Sequence, residues 1–289
     1  MKNTSPSFFL MLGFLTRLPV PKRDFTEDSF SRSMVLMPLA GLVIGAILVL
    51  IQFILVWINA PDLIRGAVLV CVYIFLTGGL HFDGLADTCD GVFSGRSREQ
   101  SLEIMKDSRI GVFGTLGLFM TGIFYFAAFA EIPIIGLLAF PVCGRACCLI
   151  SASIAPYARE EGLGKATSMQ GGAAAVISAA ISLVGTAFLT IPLSVFLVFA
   201  GRHIYIPSIT SSSDFYTALL AKQKFMDIFI SASLTSLIAS AAAILVTVFM
   251  TMKIKKKLGG VTGDTFGAVI EVSSLVYMFI FIIIWGLGA

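Results

Sequence analysis

No charged side chain interrupts the chain from Met34 to Ile58. A helix rising 1.5 Å per residue crosses the ~30 Å hydrocarbon core of a bilayer within about 20 residues, so this run is long enough to span. In lipid, every backbone N–H and C=O must find its partner inside the protein, which leaves helices or closed barrels. A barrel would show short segments of alternating polarity, whereas this run is continuous. Comparable runs recur at Leu63–Leu80, Ile110–Ala130, Ile132–Ala155, within Gly172–Ala200, at Ile228–Met252, and from the Gly259–Glu271 turn to about Leu287. The composition agrees, with 57% hydrophobic and only 13% charged residues and a mean hydropathy of +0.95. The expectation is an all-α polytopic transmembrane helix bundle of about seven spans (six to eight), forming one integral membrane domain over 1–289.

The positive-inside rule orients these spans. With a cytoplasmic N-terminus, the inner segments 1–33, 81–110, 156–171 and 253–267 hold 15 of the 20 Lys and Arg residues, and the outer segments hold four. The rule places the 81–110 and 253–271 segments together in the cytoplasm. A hidden span between Pro192 and Asp227 would reverse everything after it. Residues 1–33 read as an interfacial segment with a short helix at Ser7–Thr16 and a Pro19/Pro21 turn. No small-residue cleavage site follows Phe8–Leu15, so it does not read as a signal peptide. The net charge of +3 and the lack of a basic block with interleaved aromatics exclude a nucleic-acid binder. The five cysteines form no CxxC pair and read as packing residues, with Cys89 a reduced thiol.

Chemistry concentrates in Thr77-Gly-Gly-Leu-His-Phe-Asp-Gly-Leu-Ala-Asp-Thr-Cys-Asp-Gly91. On a helix, Asp83, Asp87 and Asp90 stand at i, i+4 and i+7 on one face, spanning ~10 Å along the axis. At ~6 Å and an effective dielectric near 20, each pair repels by roughly 3 kcal/mol. A divalent cation would offset this, and all-oxygen donors favour Mg²⁺. A solvated acidic turn is the bland alternative, but it leaves Gly78, Gly79, Gly84 and Gly91 unexplained. Gly259-Gly-Val-Thr-Gly-Asp264 echoes the spacing from Gly-Gly to Asp, and Glu271 follows Asp264 by seven residues as Asp90 follows Asp83. Two such motifs, with Asp83, Asp87, Asp90, Asp264 and Glu271 as metal ligands, could clamp a diphosphate. Arg96, Lys106, Arg109 and Arg159 are candidate phosphate contacts, with membrane anchoring as their alternative. Arg145 lies inside a span, where a charge normally has a partner or a role, and it is a further candidate substrate-binding residue that would contact a phosphate or orient Asp90 or Glu271. His81 could donate to a phosphate, move a proton or cap the turn. Asp90 and Glu271 are the candidate bases.

Beyond these motifs, Arg17-Leu-Pro-Val-Pro21, Pro38-Leu-Ala-Gly41, Leu102-Glu-Ile-Met-Lys-Asp-Ser-Arg109, Gly144-Arg145, Tyr157-Ala-Arg-Glu-Glu-Gly-Leu-Gly164 and Leu258-Gly-Gly-Val-Thr-Gly-Asp-Thr265 occur in order. Together they resemble the cobalamin synthase (adenosylcobinamide-GDP ribazoletransferase) family over nearly the whole chain, except for Pro192–Asp227. The resemblance implies a Mg²⁺-dependent enzyme of the bacterial or archaeal inner membrane, with its site on the cytoplasmic side. Its substrates would be adenosylcobinamide-GDP and α-ribazole or its 5′-phosphate, with GMP released. Thr262 is a further candidate substrate contact in the second motif. Two other readings carry the same features. One is another Mg²⁺-dependent membrane transferase, of prenyltransferase or CDP-alcohol phosphotransferase type, although the Asp-Gly-x-x-Ala-Arg pattern of the latter is not met. The other is a secondary transporter, whose site would lie nearer the bilayer midplane.

Overall fold

The computed structural model describes residues 7–21, 25–160, 162, 176–177, 179–185 and 216–288. Among them the chain is helical: α1 (Phe8–Leu15), α2 (Glu27–Ser33), α3 (Met37–Trp57), α4 (Asp62–Thr77), α5 (Leu80–Phe93), α6 (Arg98–Ile104), α7 (Val112–Glu131), α8 (Ile134–Ile154), α9 (Tyr216–Leu258) and α10 (Gly263–Gly288). Five helical stretches are long and apolar enough to cross a membrane, and α4 with α5 makes a sixth if this pair, bent by 90°, is one broken span. The expected span within Gly172–Ala200 and the Pro192–Asp227 segment fall largely outside the described residues.

Helix α8 is the axis of the bundle. It is almost wholly enclosed, packing against α3, α10 and α9. Gly41 and Gly45 on α3, spaced as small-xxx-small, let the two backbones touch: a Cβ on Gly41 would lie 2.5 Å from the Pro141 carbonyl oxygen. The outer helices instead turn large apolar side chains outward. Leu116, Phe119 and Ile123 of α7 and Leu245 and Phe249 of α9 are all exposed, as suits a lipid-facing surface.

Helix α6 opens after Ser97. Both capping-box bonds are made, Gln100 N to Ser97 Oγ and Ser97 N to Gln100 Oε1, at 3.3 Å each. Arg98 then ties α6 to the far end of α9, donating from Nε to Leu258 O at 2.8 Å and from Nη2 to Ala158 O at 3.3 Å. Lys257 Nζ reaches Arg96 O at 2.6 Å. Residues 156–158 pair with Val261 by Ala158 N to Val261 O and Val261 N to Pro156 O, both 2.8 Å. These ties bring three sequence-distant segments, 94–109, 156–160 and 255–264, to one end of the bundle.

Candidate active site

The site begins at a bend. Gly78 and Gly79 close α4 and open α5 with φ of +65° and +71°, a left-handed pair that side chains with a Cβ resist. The turn sends α5 along α7 and α10. Gly84 makes the α5–α10 crossing close, since a Cβ there would stand 2.6 Å from the Asp264 carbonyl oxygen. The two acidic motifs therefore meet, through Asp83 and Asp87 on one side and Asp264 on the other.

Asp83 is exposed, whereas Asp87 and Asp264 are partly buried. The charges of Asp264, Asp83 and Asp90 all bear on Asp87, and the Arg159 guanidinium opposes them. Arg159 Nη2 lies 2.9 Å from Asp264 Oδ2, held there by the pairing of residues 156–158 with Val261. Thr262 caps α10: Thr262 N donates to Thr265 Oγ1 at 2.8 Å, and Thr265 N donates to Thr262 Oγ1 at 3.3 Å. Its side chain is fully buried and donates to Asp264 Oδ2 at 3.3 Å. Thr262 thus orients Asp264, a different task from the substrate contact expected of it.

The last acid of each motif sits elsewhere. Asp90 accepts from Gly111 N at 2.7 Å and Gly114 N at 2.8 Å, so both its oxygens cap the N-terminus of α7, where the helix dipole favours a carboxylate. Glu271, nearly two turns down α10 from Asp264, is fully buried. Tyr125 Oη donates to its Oε2 at 2.6 Å and Tyr73 Oη to its Oε1 at 3.1 Å. His81 Nδ1 stands 3.5 Å from Oε1. Seven residues of helix carry a side chain ~10 Å along the axis, which takes Glu271 from the mouth into the core. Tyr73 and Tyr125 went unnoticed in the sequence; their signal is a hydroxyl inside an otherwise apolar run.

Arg145 is fully buried and does not reach the mouth. Its Nη1 donates to Pro141 O at 3.1 Å, while Nε and Nη2 make no hydrogen bond among the described residues. Its charge bears on Tyr73 and His81, as does that of Glu271. The other basic candidates are peripheral. Arg109 is exposed and committed to Asp107, Nη2 to Oδ2 at 2.6 Å, and these bonds hold the Asp107 carboxyl down at about 2. Lys106 is exposed beside a shallow outer cleft with Glu99, Glu103 and Arg159. Arg96 is exposed, and its carbonyl serves Lys257.

Beneath the mouth lies a cavity of about 320 Å³. Asp83, Asp264, Arg159 and His81 line its polar rim, and Phe14, Phe30, Met34 and Met37 from the N-terminal segment form its apolar wall. The segment read as interfacial is thus part of the site. Among the described residues, no three His, Cys, Asp or Glu side chains converge closely enough to hold a metal by themselves. Mg²⁺, however, takes one or two carboxylates and completes its shell with water and substrate phosphates. The oxygen donors of Asp83 and Asp264 at the polar rim, with both charges bearing on Asp87, fit that pattern.

The sequence profile of the family described as Cobalamin-5-phosphate synthase (CobS) matches residues 7–282. Proteins named adenosylcobinamide-GDP ribazoletransferase are similar along their full length. One from Fusobacterium nucleatum is 33% identical, covering 96% of this chain and 97% of its own. One from Acetivibrio thermocellus is 38% identical, covering 94% and 95%. One from Escherichia coli K12 is 35% identical, covering 95% and 98%. No solved structure matches the chain.

Proposed function

We infer the chemistry of this site from one premise: the chain belongs to the cobalamin-5-phosphate synthase family. It is an adenosylcobinamide-GDP ribazoletransferase, a membrane enzyme of the last step in assembling the nucleotide loop of cobalamin. The observation that carries the active-site reading is the meeting of Asp83 and Asp264 with Arg159 at the rim of a cavity, with Asp87 within reach of their charges.

In the reaction, a hydroxyl of α-ribazole, or of its 5′-phosphate, attacks the cobinamide-linked phosphorus of adenosylcobinamide-GDP. The new bond joins that oxygen to phosphorus, the bond from phosphorus to the GMP oxygen breaks, and GMP leaves. Asp83, Asp87 and Asp264 would hold Mg²⁺, which supplies charge neutralisation to the diphosphate when bound. Arg159 presents a planar fork to the same phosphates, with Arg96, Lys106 and Arg109 around the rim as an outer basic field that draws the anionic donor in. His81, which lines the cavity, takes the hydroxyl proton, and Glu271 behind it balances the charge gained. Asp90 and Thr262 hold the frame, Asp90 by fixing α7 and Thr262 by orienting Asp264. The Lys and Arg bias assigns this end of the bundle to the cytoplasmic face of a bacterial inner membrane.

Full-length protein in detergent or nanodiscs should release GMP from adenosylcobinamide-GDP only when α-ribazole or its phosphate is present. His81→Gln should slow that release by about 10²- to 10⁴-fold, the usual worth of a positioned general base. GMP release independent of acceptor, or unaltered in the variant, would remove His81 from this role.

A further inference from the structure

The cavity has a polar end and an apolar end, and the two ask for different parts of a ligand. Its apolar wall is aromatic. Phe14 and Phe30 meet edge to face with ring centroids 4.9 Å apart at 83°, and Met34, Met37 and Phe266 continue the surface. Phe30, Met34 and Met37 are 2–4% exposed, so this wall is built and held rather than loosely folded over the opening. Phe14, Phe30, Met34 and Met37 come from the first 37 residues, which contribute nothing to the acidic cluster, while Leu80, Cys148 and Ile270 complete the apolar lining from other helices.

The wall is anchored independently. Ser7 N donates to Ser33 Oγ at 2.8 Å, joining the start of α1 to the end of α2. Arg17 N donates to Leu76 O at 2.8 Å, fastening the segment beside the Gly78–Gly79 bend. An aromatic and thioether lining fixed beside a phosphate-handling rim is a receptor for a flat apolar ring carrying a polar tail.

The two substrates differ in that respect. The corrinoid donor is several times larger than the cavity. α-Ribazole is a nucleoside of about 20 non-hydrogen atoms whose base is a flat, dimethylated benzimidazole. It suits a cavity near the small end of the roughly 300–1,000 Å³ range of ligand pockets. We propose that this cavity is the acceptor subsite: the benzimidazole packs against Phe14, Phe30, Met34 and Met37, and the ribose hydroxyls reach the rim at Asp83, Asp264 and Arg159. The donor then stays outside and presents only its diphosphate to that rim. The N-terminal segment is the specificity element for the base. This assignment rests on the transferase reading above.

The test separates the two substrates on the full-length enzyme. Phe30→Ala empties the wall and Met34→Trp fills the cavity; neither residue touches the acidic rim. Each should raise the KM for α-ribazole by roughly 5- to 150-fold, the range expected for losing one base–aromatic stack, and leave the KM for adenosylcobinamide-GDP within about twofold. In the unaltered enzyme, the free dimethylbenzimidazole base should inhibit competitively against α-ribazole and not against the donor, a measurement that does not depend on any variant folding. If the variants raise the donor KM instead, or the free base competes with the donor, the subsite assignment falls while the transferase reading stands. If the unaltered enzyme gives no acceptor-dependent GMP release, both fall.

Discussion

Asp83, Asp90 and Asp264 are one residue type in three circumstances, and the differences decide what each substitution should do. Asp83 is exposed, Asp264 is paired with Arg159, and Asp90 is bonded to the amides of Gly111 and Gly114 at the start of α7. Asp83→Asn, Asp87→Asn and Asp264→Asn should each cut GMP release by at least about 10²-fold, with membrane accumulation unchanged. EDTA should abolish release and Mg²⁺ restore it. Asp90→Ala should instead lower stability by about 0.5–2 kcal/mol, the cost of a lost helix cap, read as a lower thermal inactivation temperature. Near-normal turnover in two of the three Asn variants would remove the cluster from the chemistry. Arg145 carries the opposite expectation. Fully buried, it should matter to the fold: its charge and that of Glu271 both bear on Tyr73 and His81. Arg145→Met, which leaves the Glu271 carboxylate without that opposing cation, should cost about 3–5 kcal/mol. The surviving protein should keep its KM for both substrates, since Arg145 does not line the cavity. A KM that rises while accumulation holds would return Arg145 to the site. The sequence marked Arg145 as unusual but could not say what it faces, because its neighbours Tyr73 and His81 come from other helices.

At the scale of elements, the two glycine-bracketed motifs were legible and their geometry was not. Spacing put Asp83 and Asp87 on one helix, as α5 has them, but Gly259–Glu271 read as a turn, whereas α10 already begins at Gly263 and carries both Asp264 and Glu271. Spacing could not show that the seven-residue step leads to different places. After Asp83 the step ends against the amides of Gly111 and Gly114; after Asp264 it ends among Tyr73 and Tyr125. A periodic pattern records which side chains share a face, but the opposing surface is supplied by residues far away in sequence. Gly84 and Gly79 separate two ways in which glycine serves the site. At Gly84, an added Cβ meets backbone of Asp264 at 2.6 and 2.9 Å, which cannot rotate away. Gly84→Ala should therefore push α5 from α10, misplace Asp83 relative to Asp264 and cost about 10²-fold in kcat/KM. Gly79 meets nothing within 4 Å but has φ of +71°. Gly79→Ala should then cost only the left-handed strain, about 1–2 kcal/mol of stability, with turnover per folded molecule preserved. Equal loss of turnover in both would mean that the bend, rather than the crossing, positions the acids.

For the molecule as a whole, the long apolar runs made the helical membrane class legible, and the Lys and Arg bias predicted that the two acidic motifs share a side. The contacts of Arg98 with Leu258 and Ala158, and of Lys257 with Arg96, put both motifs at one end of the bundle. The Lys and Arg bias predicts that this end faces the cytoplasm, since short loops rich in Lys and Arg tend to be retained there. Single cysteines at Ser97 and Lys256, both exposed at that end, report it directly in a background lacking the five native cysteines. Neither should react with an impermeant thiol reagent added to intact cells, and both should react once the membrane is opened. Because the ties between 96–98 and 257–258 fix the two positions to one end, they must label alike. Labelling of both from outside would invert the orientation and place the acidic rim away from the cytoplasm. Labelling of Lys256→Cys alone would break the shared end itself, and with it the meeting of Asp83 and Asp264 on which the active-site reading stands.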